Sequence, residues 1–395
     1  MSTVSLIAEV IFWTSLSVVL YTYFVYPIVL LVCFAVSQLR TDVHYLFNRI
    51  DRRVDRIPEN DLPGVTFVIP AHNEAKCLLA KLANLRALNY PRKKLQVVIV
   101  SDGSADETNH ILCGMSDTFI ERVILPERGG KANALNCAVA QARHDLLVFS
   151  DASTIFEVDT VRKLVRHFGD PKVGAACGAL RFQATAESQQ TEGVYWKYES
   201  ALRLMESRLG ASLNASGAVY ALRRDAYKPL PHGAVLDDLL VPMNARRLGY
   251  RVIYDPEAIA TDDAPEGIRG EFARRVRIAA GSFQALPEVL RIKLDGATAL
   301  CFFSHKLLRW LVPVFLIALL VSNGLLIDKG FYTAFLVMQA VFYLWAILGA
   351  ACYERFKPVR YALLGHFVLA MNTAFLVGFF HYLKNRQAIE WERVD

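Results

Sequence analysis

Val65-Thr66-Phe67-Val68-Ile69-Pro70-Ala71-His72-Asn73-Glu74 is a short apolar run closed by a polar cluster, and Leu95-Gln96-Val97-Val98-Ile99-Val100-Ser101-Asp102-Gly103-Ser104 repeats that design. Between the two runs Leu78, Leu79, Leu82 and Leu85 recur at helical spacing, so the segment reads strand, helix, strand. The pattern continues with a helix over 131–143, a strand over 146–150, a helix over 159–168 and a strand over 173–180. Continuously apolar strands alternating with helices predict an α/β domain whose mainly parallel sheet is buried on both faces. Ligands of such sheets bind at the carboxyl ends of the strands, so the polar residues closing each run are the candidate site.

Outward from this centre the composition changes. The 395 residues are 54% apolar and only 21% charged, with a mean hydropathy of +0.27. Those values exclude a disordered chain and argue against a purely soluble one. The excess lies at the two ends. No charge interrupts Val10 to Leu39, more than the ~20 residues a helix needs to cross a bilayer. Arg40, Arg49, Arg52, Arg53 and Arg56 follow, which places the next segment on the cytoplasmic side. Near the other end, Trp310 to Ile327 and Phe331 to Tyr353 form a membrane hairpin about Asp328-Lys329-Gly330, and Tyr361 to Leu383 gives a third span after a basic break over 354–360. His366, Asn372 and His381 in that last span are expected to face the bundle interior. By parity the tail is external, although Lys384, Arg386 and Arg393 oppose that orientation. Between centre and hairpin, residues 267–309 alternate basic and apolar positions, as in His305-Lys306-Leu307-Leu308-Arg309, and predict amphipathic helices in the headgroup layer.

The division expected is an N-terminal span over 1–39, a cytosolic domain over 40–266, interfacial helices over 267–309, C-terminal spans over 310–383 and a tail over 384–395. The net charge of +6 (44 Lys and Arg against 38 Asp and Glu) comes without basic stripes interleaved with aromatics, which excludes nucleic acid as a partner. The seven cysteines (Cys33, Cys77, Cys113, Cys137, Cys177, Cys301 and Cys352) are scattered, with no CxxC pair, as expected for reduced thiols.

Three acidic side chains close successive strands: Glu74, Asp102, and Asp151 in Asp151-Ala152-Ser153. Their convergence suits a nucleotide and a divalent cation, because carboxylates accept from base or ribose donors and are hard ligands; any one of them alone reads equally as a helix cap. Gly129-Gly130-Lys131 opens a helix whose N–H groups and ammonium can hold phosphate. A P-loop is excluded, since Leu125 stands where its first glycine belongs and Ala132 where its hydroxyl residue belongs.

In order from Val65 to Gly281, these segments resemble the family 2 glycosyltransferases of GT-A fold. The resemblance is carried by Pro70 to Glu74, by Ser101 to Ser104 with Asp106 and Thr108 beyond, by Gly130 to Asn136, by Ser150 to Ser153, and by Leu236-Asp237-Asp238. It implies that Ala71, Glu74 and Asp102 hold the nucleoside, usually uridine. It implies also that Lys131 contacts the diphosphate and that Asp151 opens the metal-binding DxD, for Mg2+ or Mn2+. Ser153 replaces the second aspartate of that motif, and a neutral hydroxyl is the weaker ligand. Asp237-Asp238 corresponds to the family's acidic pair, with Asp238 as general base and Asp237 also readable as a helix cap. Arg274-Arg275-Val276-Arg277-Ile278 stands at the place of the QxxRW motif of processive synthases, without its Gln and Trp; its arginines neutralise the leaving diphosphate or touch anionic lipid. Ser216 and Gly217 match segments near the acceptor, as does Trp196, which reads first as structural. A second acidic pair, Asp262-Asp263, lies where the family shows no catalytic group.

The resemblance therefore implies a membrane-embedded inverting transferase, in the cell inner membrane if bacterial. It moves a sugar from a nucleotide diphosphate to a lipid-linked or polysaccharide acceptor at the cytoplasmic face, with lipids and, beyond them, an oligomer or export subunits as partners. Single addition to a polyprenyl-diphosphate intermediate is the alternative to processive synthesis, and a silent nucleotide-binding scaffold is the reading from another class.

Overall fold

The computed structural model describes residues 3–48, 57, 59–183, 192–263, 267–352 and 364–384. Its N-terminal helix runs beyond the expected limits on both sides: α1 (Thr3–Leu20), a π-helical turn (Tyr21–Val25) and α2 (Tyr26–Asn48) follow without a break. At 1.5 Å per residue the rod is about 70 Å long, roughly twice the thickness of a bilayer's hydrocarbon core. No structural boundary therefore falls between residues 39 and 40. The π turn has a local cause. Pro27 has no N–H and its ring crowds the carbonyl four residues back, and just before it the Tyr26 N–H reaches five residues back to the Tyr21 carbonyl.

The central domain follows: β1 (Val65–Ala71), α3 (Ala75–Ala87), β2 (Leu95–Asp102), α4 (Thr108–Cys113), β3 (Ile120–Leu125), α5 (Lys131–Ala140), β4 (Leu146–Phe149), β5 (Ile155–Phe156), α6 (Thr160–Val165), β6 (Val173–Gln183), α7 (Glu192–Arg208), β7 (Tyr220–Arg223), α8 (Asp237–Arg247) and β8 (Arg251–Asp263). The strands form one sheet in the order β3-β2-β1-β4-β7-β6-β8-β5. Strands β1 to β4 are parallel, as the apolar runs predict. The other half is mixed, because β7 runs against both β4 and β6 while β5 runs against β8. β3, β5 and β7 were not foreseen: two are short, and β3 alternates partly buried with exposed positions after Ile120 instead of running apolar.

Every residue of β1 and β2 is buried. Alternate side chains leave opposite faces. Val68, Val98, Leu147 and Phe149 pack on one side with Leu135, Leu202 and Val241. Phe67, Ile69, Val97, Ile99 and Val148 pack on the other with Leu78, Leu82 and Leu164. The sheet is thus covered on both faces, and the carboxyl ends of β1, β2 and β4 are left as the open edge.

Beyond β8 come α9 (Gly267–Leu290), α10 (Gly296–Cys301), a π-helical stretch (Phe302–Leu307), α11 (Leu308–Gly324), α12 (Gly330–Ala351) and α13 (Leu364–Leu383). Four segments are long and apolar enough to cross a membrane: Thr3–His44, Gly296–Gly324, Gly330–Ala351 and Gly365–Leu383. The expectation that residues up to Arg309 lie flat in the headgroup layer needs correction, because α10, the π stretch and α11 are one continuous helix. His305 and Arg309 are 1% and 9% exposed and turn toward the α/β domain. His305 Nδ1 lies 2.6 Å from Glu206 and its Nε2 3.2 Å from Glu199, while Arg309 donates to Glu199 at 2.9 Å and the Tyr26 hydroxyl donates to Glu206 at 2.8 Å. Helix α7 is therefore clamped by buried polar contacts to two of the segments long enough to cross a membrane.

The helix α9 lies along α13. A Cβ at Gly378 would come within 2.5 Å of the Ala279 Cβ and 2.8 Å of the Val276 carbonyl, so only glycine permits this approach. Asn372 is buried as expected, with its Nδ2 donating to the Val368 carbonyl at 2.8 Å. Arg49, Arg52, Arg53, Arg56, the 354–360 break, Arg386 and Arg393, on which the expected orientation rests, lie outside the described residues.

Candidate active site

The centre of the site is an ammonium between carboxylates. Gly130 adopts φ +86° to turn the chain into α5, which places Lys131 at the first helical position. Its Nζ lies 2.8 Å from Asp151 Oδ1 and 3.6 Å from Asp237 Oδ2. Burial opposes charge on Lys131, but Asp151, Asp237 and Asp238 outweigh it and hold its pKa above the usual lysine value. Residues from the ends of β4, α5 and α8, about a hundred positions apart, thus meet at one point.

Asp237 and Asp238 form the first turn of α8, whose N-cap residue Leu236 has no capping side chain. Asp237 is 6% exposed and its Oδ2 accepts no hydrogen bond. Burial first, then the charges of Asp238 and Asp151, raise its pKa to about 6 against the pull of Lys131. Asp238 is partly exposed and its pKa is also raised, by burial, while Lys131, Arg203, Lys306 and Arg274 work in the opposite direction. A carboxylate with raised affinity for protons, open on one side, has the properties of a general base. The loop before it is fitted to it: the Ala215 N–H donates to the Asp238 carbonyl at 2.8 Å, and a Cβ on Gly217 would stand 3.3 Å from the Asp238 Cβ. Ser216 Oγ accepts from Arg203 at 3.2 Å. Ser216 and Gly217 are therefore beside the base; the Trp196 side chain lies outside the described residues.

Of Arg274, Arg275 and Arg277 on α9, Arg277 is the one whose charge couples to both Asp151 and Asp237. Burial and the neighbouring Arg274 lower its pKa, and Asp151 and Asp237 raise it, so its guanidinium shares their surroundings. Arg274 pairs with Glu271 at 3.3 Å over the Phe182 ring and contributes to the field at Asp238. Arg275 is a correction. It pairs with Glu271 at 2.5 Å and lies over Phe367 of α13, with Met371 alongside, because successive helix positions face about 100° apart and its turn of the helix faces the membrane bundle.

Asp102 is a second correction. It is fully buried, and its two oxygens accept from the Gly129 and Gly130 N–H groups at 2.8 and 2.7 Å. It secures the turn that aims Lys131, and it takes up the glycine N–H groups that the sequence offered to phosphate. Ala71 ends β1 fully buried beside Ser101. Glu74, 8% exposed, accepts from the Cys77 thiol at 2.9 Å, and its N–H donates to Thr108 Oγ1 at 2.9 Å. Glu74, Asp102 and Asp151 do share the strand-end edge, but Asp102 is its frame.

Two residues emerge that the sequence reading did not assign. Asp262, in the pair set aside, lies beside the DxD position: its Oδ2 accepts from Thr154 Oγ1 at 3.2 Å, the Ser153 hydroxyl also bonds to it, and burial followed by the charge of Asp151 raises its pKa. Lys81 is fully buried and donates to Ser150 Oγ at 2.6 Å and to the Thr154 carbonyl at 2.5 Å; burial, against the pull of Asp151 and Asp262, pushes its pKa down to about 7. A signal for Lys81 was present, since it falls on the apolar stripe of Leu78, Leu82 and Leu85. None marked Asp262.

The oxygen donors here fit a hard divalent cation. Asp151 Oδ1 is held only by the Lys131 charge, in a geometry that makes no hydrogen bond. Among the described residues no three His, Cys, Asp or Glu side chains gather as a metal cage, so a cation held here draws its other ligands from diphosphate and water.

Residues 66–230 match Glycosyl transferase family 2. The chain is 28% identical over 273 residues to a poly-beta-1,6-N-acetyl-D-glucosamine synthase of Staphylococcus aureus, covering 66% of this chain and 65% of that protein. A synthase of the same name from Staphylococcus epidermidis is 27% identical over 230 residues, covering 56% and 55%. This chain thus spans just under two thirds of the length of the curated relatives it matches. Among solved structures, the mannosyltransferase PcManGT from Pyrobaculum calidifontis, in complex with GDP-Man and Mn2+, superposes with a TM-score of 0.67 over 91% of this chain and 98% of its own, at 23% identity, and shows the fold. Lys131, Asp151 and the Asp237-Asp238 pair are assembled at the strand ends of that GT-A type fold, and residues 66–230 form a domain similar to the family 2 glycosyltransferases.

Proposed function

We propose that the protein transfers a sugar, with inversion, from a nucleotide diphosphate donor, a UDP-sugar by preference, to a lipid-linked or polysaccharide acceptor at the cytoplasmic face of the membrane. The observation that carries this reading is the single charge cluster in which Lys131 joins Asp151 of the donor side to Asp237, next to Asp238.

Asp238 accepts the proton of the acceptor hydroxyl as that oxygen attacks the anomeric carbon, and Gly217 leaves the space beside it open. Lys131 and Arg277 meet the negative charge that develops on the departing diphosphate. A divalent cation, Mg2+ or Mn2+, when bound at Asp151, neutralises the same diphosphate. The relatives support this reading: two are poly-beta-1,6-N-acetyl-D-glucosamine synthases by name, and PcManGT was solved with GDP-Man and Mn2+.

The clamp at α7 supports membrane embedding, because it ties the α/β domain to segments long and apolar enough to cross a bilayer. A buried hydrogen bond from the Tyr26 hydroxyl to Glu206 joins the α/β domain to α2, and a buried ion pair of Arg309 with Glu199 joins it to the helix that continues as α11. Ile278, at the place of the processive enzymes' tryptophan, supports the second reading, single addition. Full-length protein incubated with labelled UDP- and GDP-sugars and a polyprenyl-diphosphate acceptor separates the two by product length. Asp238→Asn is expected to lower transfer by about 10²- to 10⁴-fold with donor binding retained. Undiminished transfer by that variant would remove Asp238 from its role.

A further inference from the structure

We propose that the divalent cation of this site is held between Asp151 and Asp262, with Asp262 supplying the carboxylate that Ser153 lacks. This rests on the donor-site reading above and goes beyond it by moving one ligand from the DxD turn to the end of β8.

The placement follows from strand register. β5 pairs antiparallel with β8 through Ile155 opposite Thr261 and Phe156 opposite Ala260. One step further out, Thr154 faces Asp262, and the hydrogen bond from Thr154 Oγ1 to Asp262 Oδ2 at 3.2 Å is the expected consequence. The turn is also braced from below. The buried Lys81 ammonium holds Ser150 Oγ on one side of Asp151 and the Thr154 carbonyl on the other, and the Thr154 N–H closes back on the Asp151 carbonyl at 3.3 Å. Asp262 Oδ1 is oriented in turn by the Asp263 N–H at 2.9 Å. A carboxylate positioned by two strands and its own backbone is preorganised in the way a ligand needs to be.

An independent observation points to a ligand at this place. Asp237 is 94% buried, its Oδ2 has no hydrogen bond, and the nearest charge to it is the Lys131 ammonium that also holds Asp151 Oδ1. The cluster thus carries more carboxylate than its own lysines satisfy in hydrogen-bond geometry. Ser153 is the weaker member of the donor set, because a hydroxyl is neutral where the motif's carboxylate is charged.

The test is Mn2+ binding, followed by loss of the free Mn2+ electron paramagnetic resonance signal, with full-length detergent-solubilised protein and UDP or GDP present. Asp262→Asn is expected to weaken Mn2+ at least tenfold, and Asp263→Asn to leave it unchanged. The exchange Asp262→Ser with Ser153→Asp, which returns the carboxylate to its family position, is expected to restore binding and provides a second variant if Asp262→Asn melts early. Wild-type affinity in Asp262→Asn overturns this proposal alone. Wild-type protein that leaves the Mn2+ signal undiminished overturns the proposal together with the cation in the donor-site reading.

Discussion

At the scale of single residues, the site works by setting like charges against one buried ammonium. Asp237 has its pKa raised to about 6, and Asp238 is raised beside it. A raised carboxylate is protonated, and therefore no longer a base, as pH falls through its folded pKa. Transfer is expected to show an acid limb above the usual carboxylate range in kcat/KM, measured with saturating acceptor. Asp237→Asn removes one of two interacting negative charges, so the limb remaining should move to lower pH; a limb that stays in place would show that the pair does not titrate as a unit. Removing the ammonium acts oppositely. Lys131→Met leaves Asp151, Asp237 and Asp238 without their shared counter-charge, and is expected to raise the acid limb and weaken donor binding at least tenfold in a UDP titration.

At the scale of elements, the junction between α7 and the membrane helices depends on charges that water does not reach. Glu199 is 5% exposed at its side chain and faces His305, Lys306 and Arg309, and these basic groups outweigh the burial that would otherwise raise its pKa, leaving it well below the usual carboxylate range. A depressed pKa contributes stability above the unfolded value, lost as pH falls through the folded one. Glu199→Gln leaves three basic groups facing a neutral amide, and breaking a buried pair on one side costs about 3–5 kcal/mol. The expected outcome is a clear fall in melting temperature of the detergent-solubilised protein, whereas a variant that melts with the wild type would mean the cluster is open to water. The helices themselves were legible from apolar spacing. Their joints were not: the alternating basic and apolar pattern around His305 is shared by a helix lying in headgroups and by one whose basic side is buried against acidic partners, and only the position of Glu199 and Glu206, some hundred residues earlier, distinguishes them.

At the scale of the molecule, a soluble α/β domain is set on a bundle containing four segments able to cross a membrane. The proposed orientation is checked by Cys113, which is exposed at the end of α4. A membrane-impermeant maleimide should label it in inverted vesicles and not in right-side-out ones, and the reverse pattern would turn the enzyme over. The sequence alone determined the parallel half of the sheet and the lengths able to cross a membrane, and it singled out Lys131, Asp151, Asp237 and Asp238, which the fold brings together. Each of these is written locally, in apolar periodicity or in a short motif whose members lie within a few positions of each other. Tertiary structure alone decided that Asp102 frames the glycine turn, that Arg277 faces the site and Arg275 does not, that Lys81 underlies the Asp151 turn and that Asp262 lies beside Ser153. Those outcomes depend on which face a side chain leaves and which distant strand pairs with which. The physical reason is that burial and Coulomb interaction depend on distance in space, and that distance is set by sheet register and helix contact across a hundred residues or more.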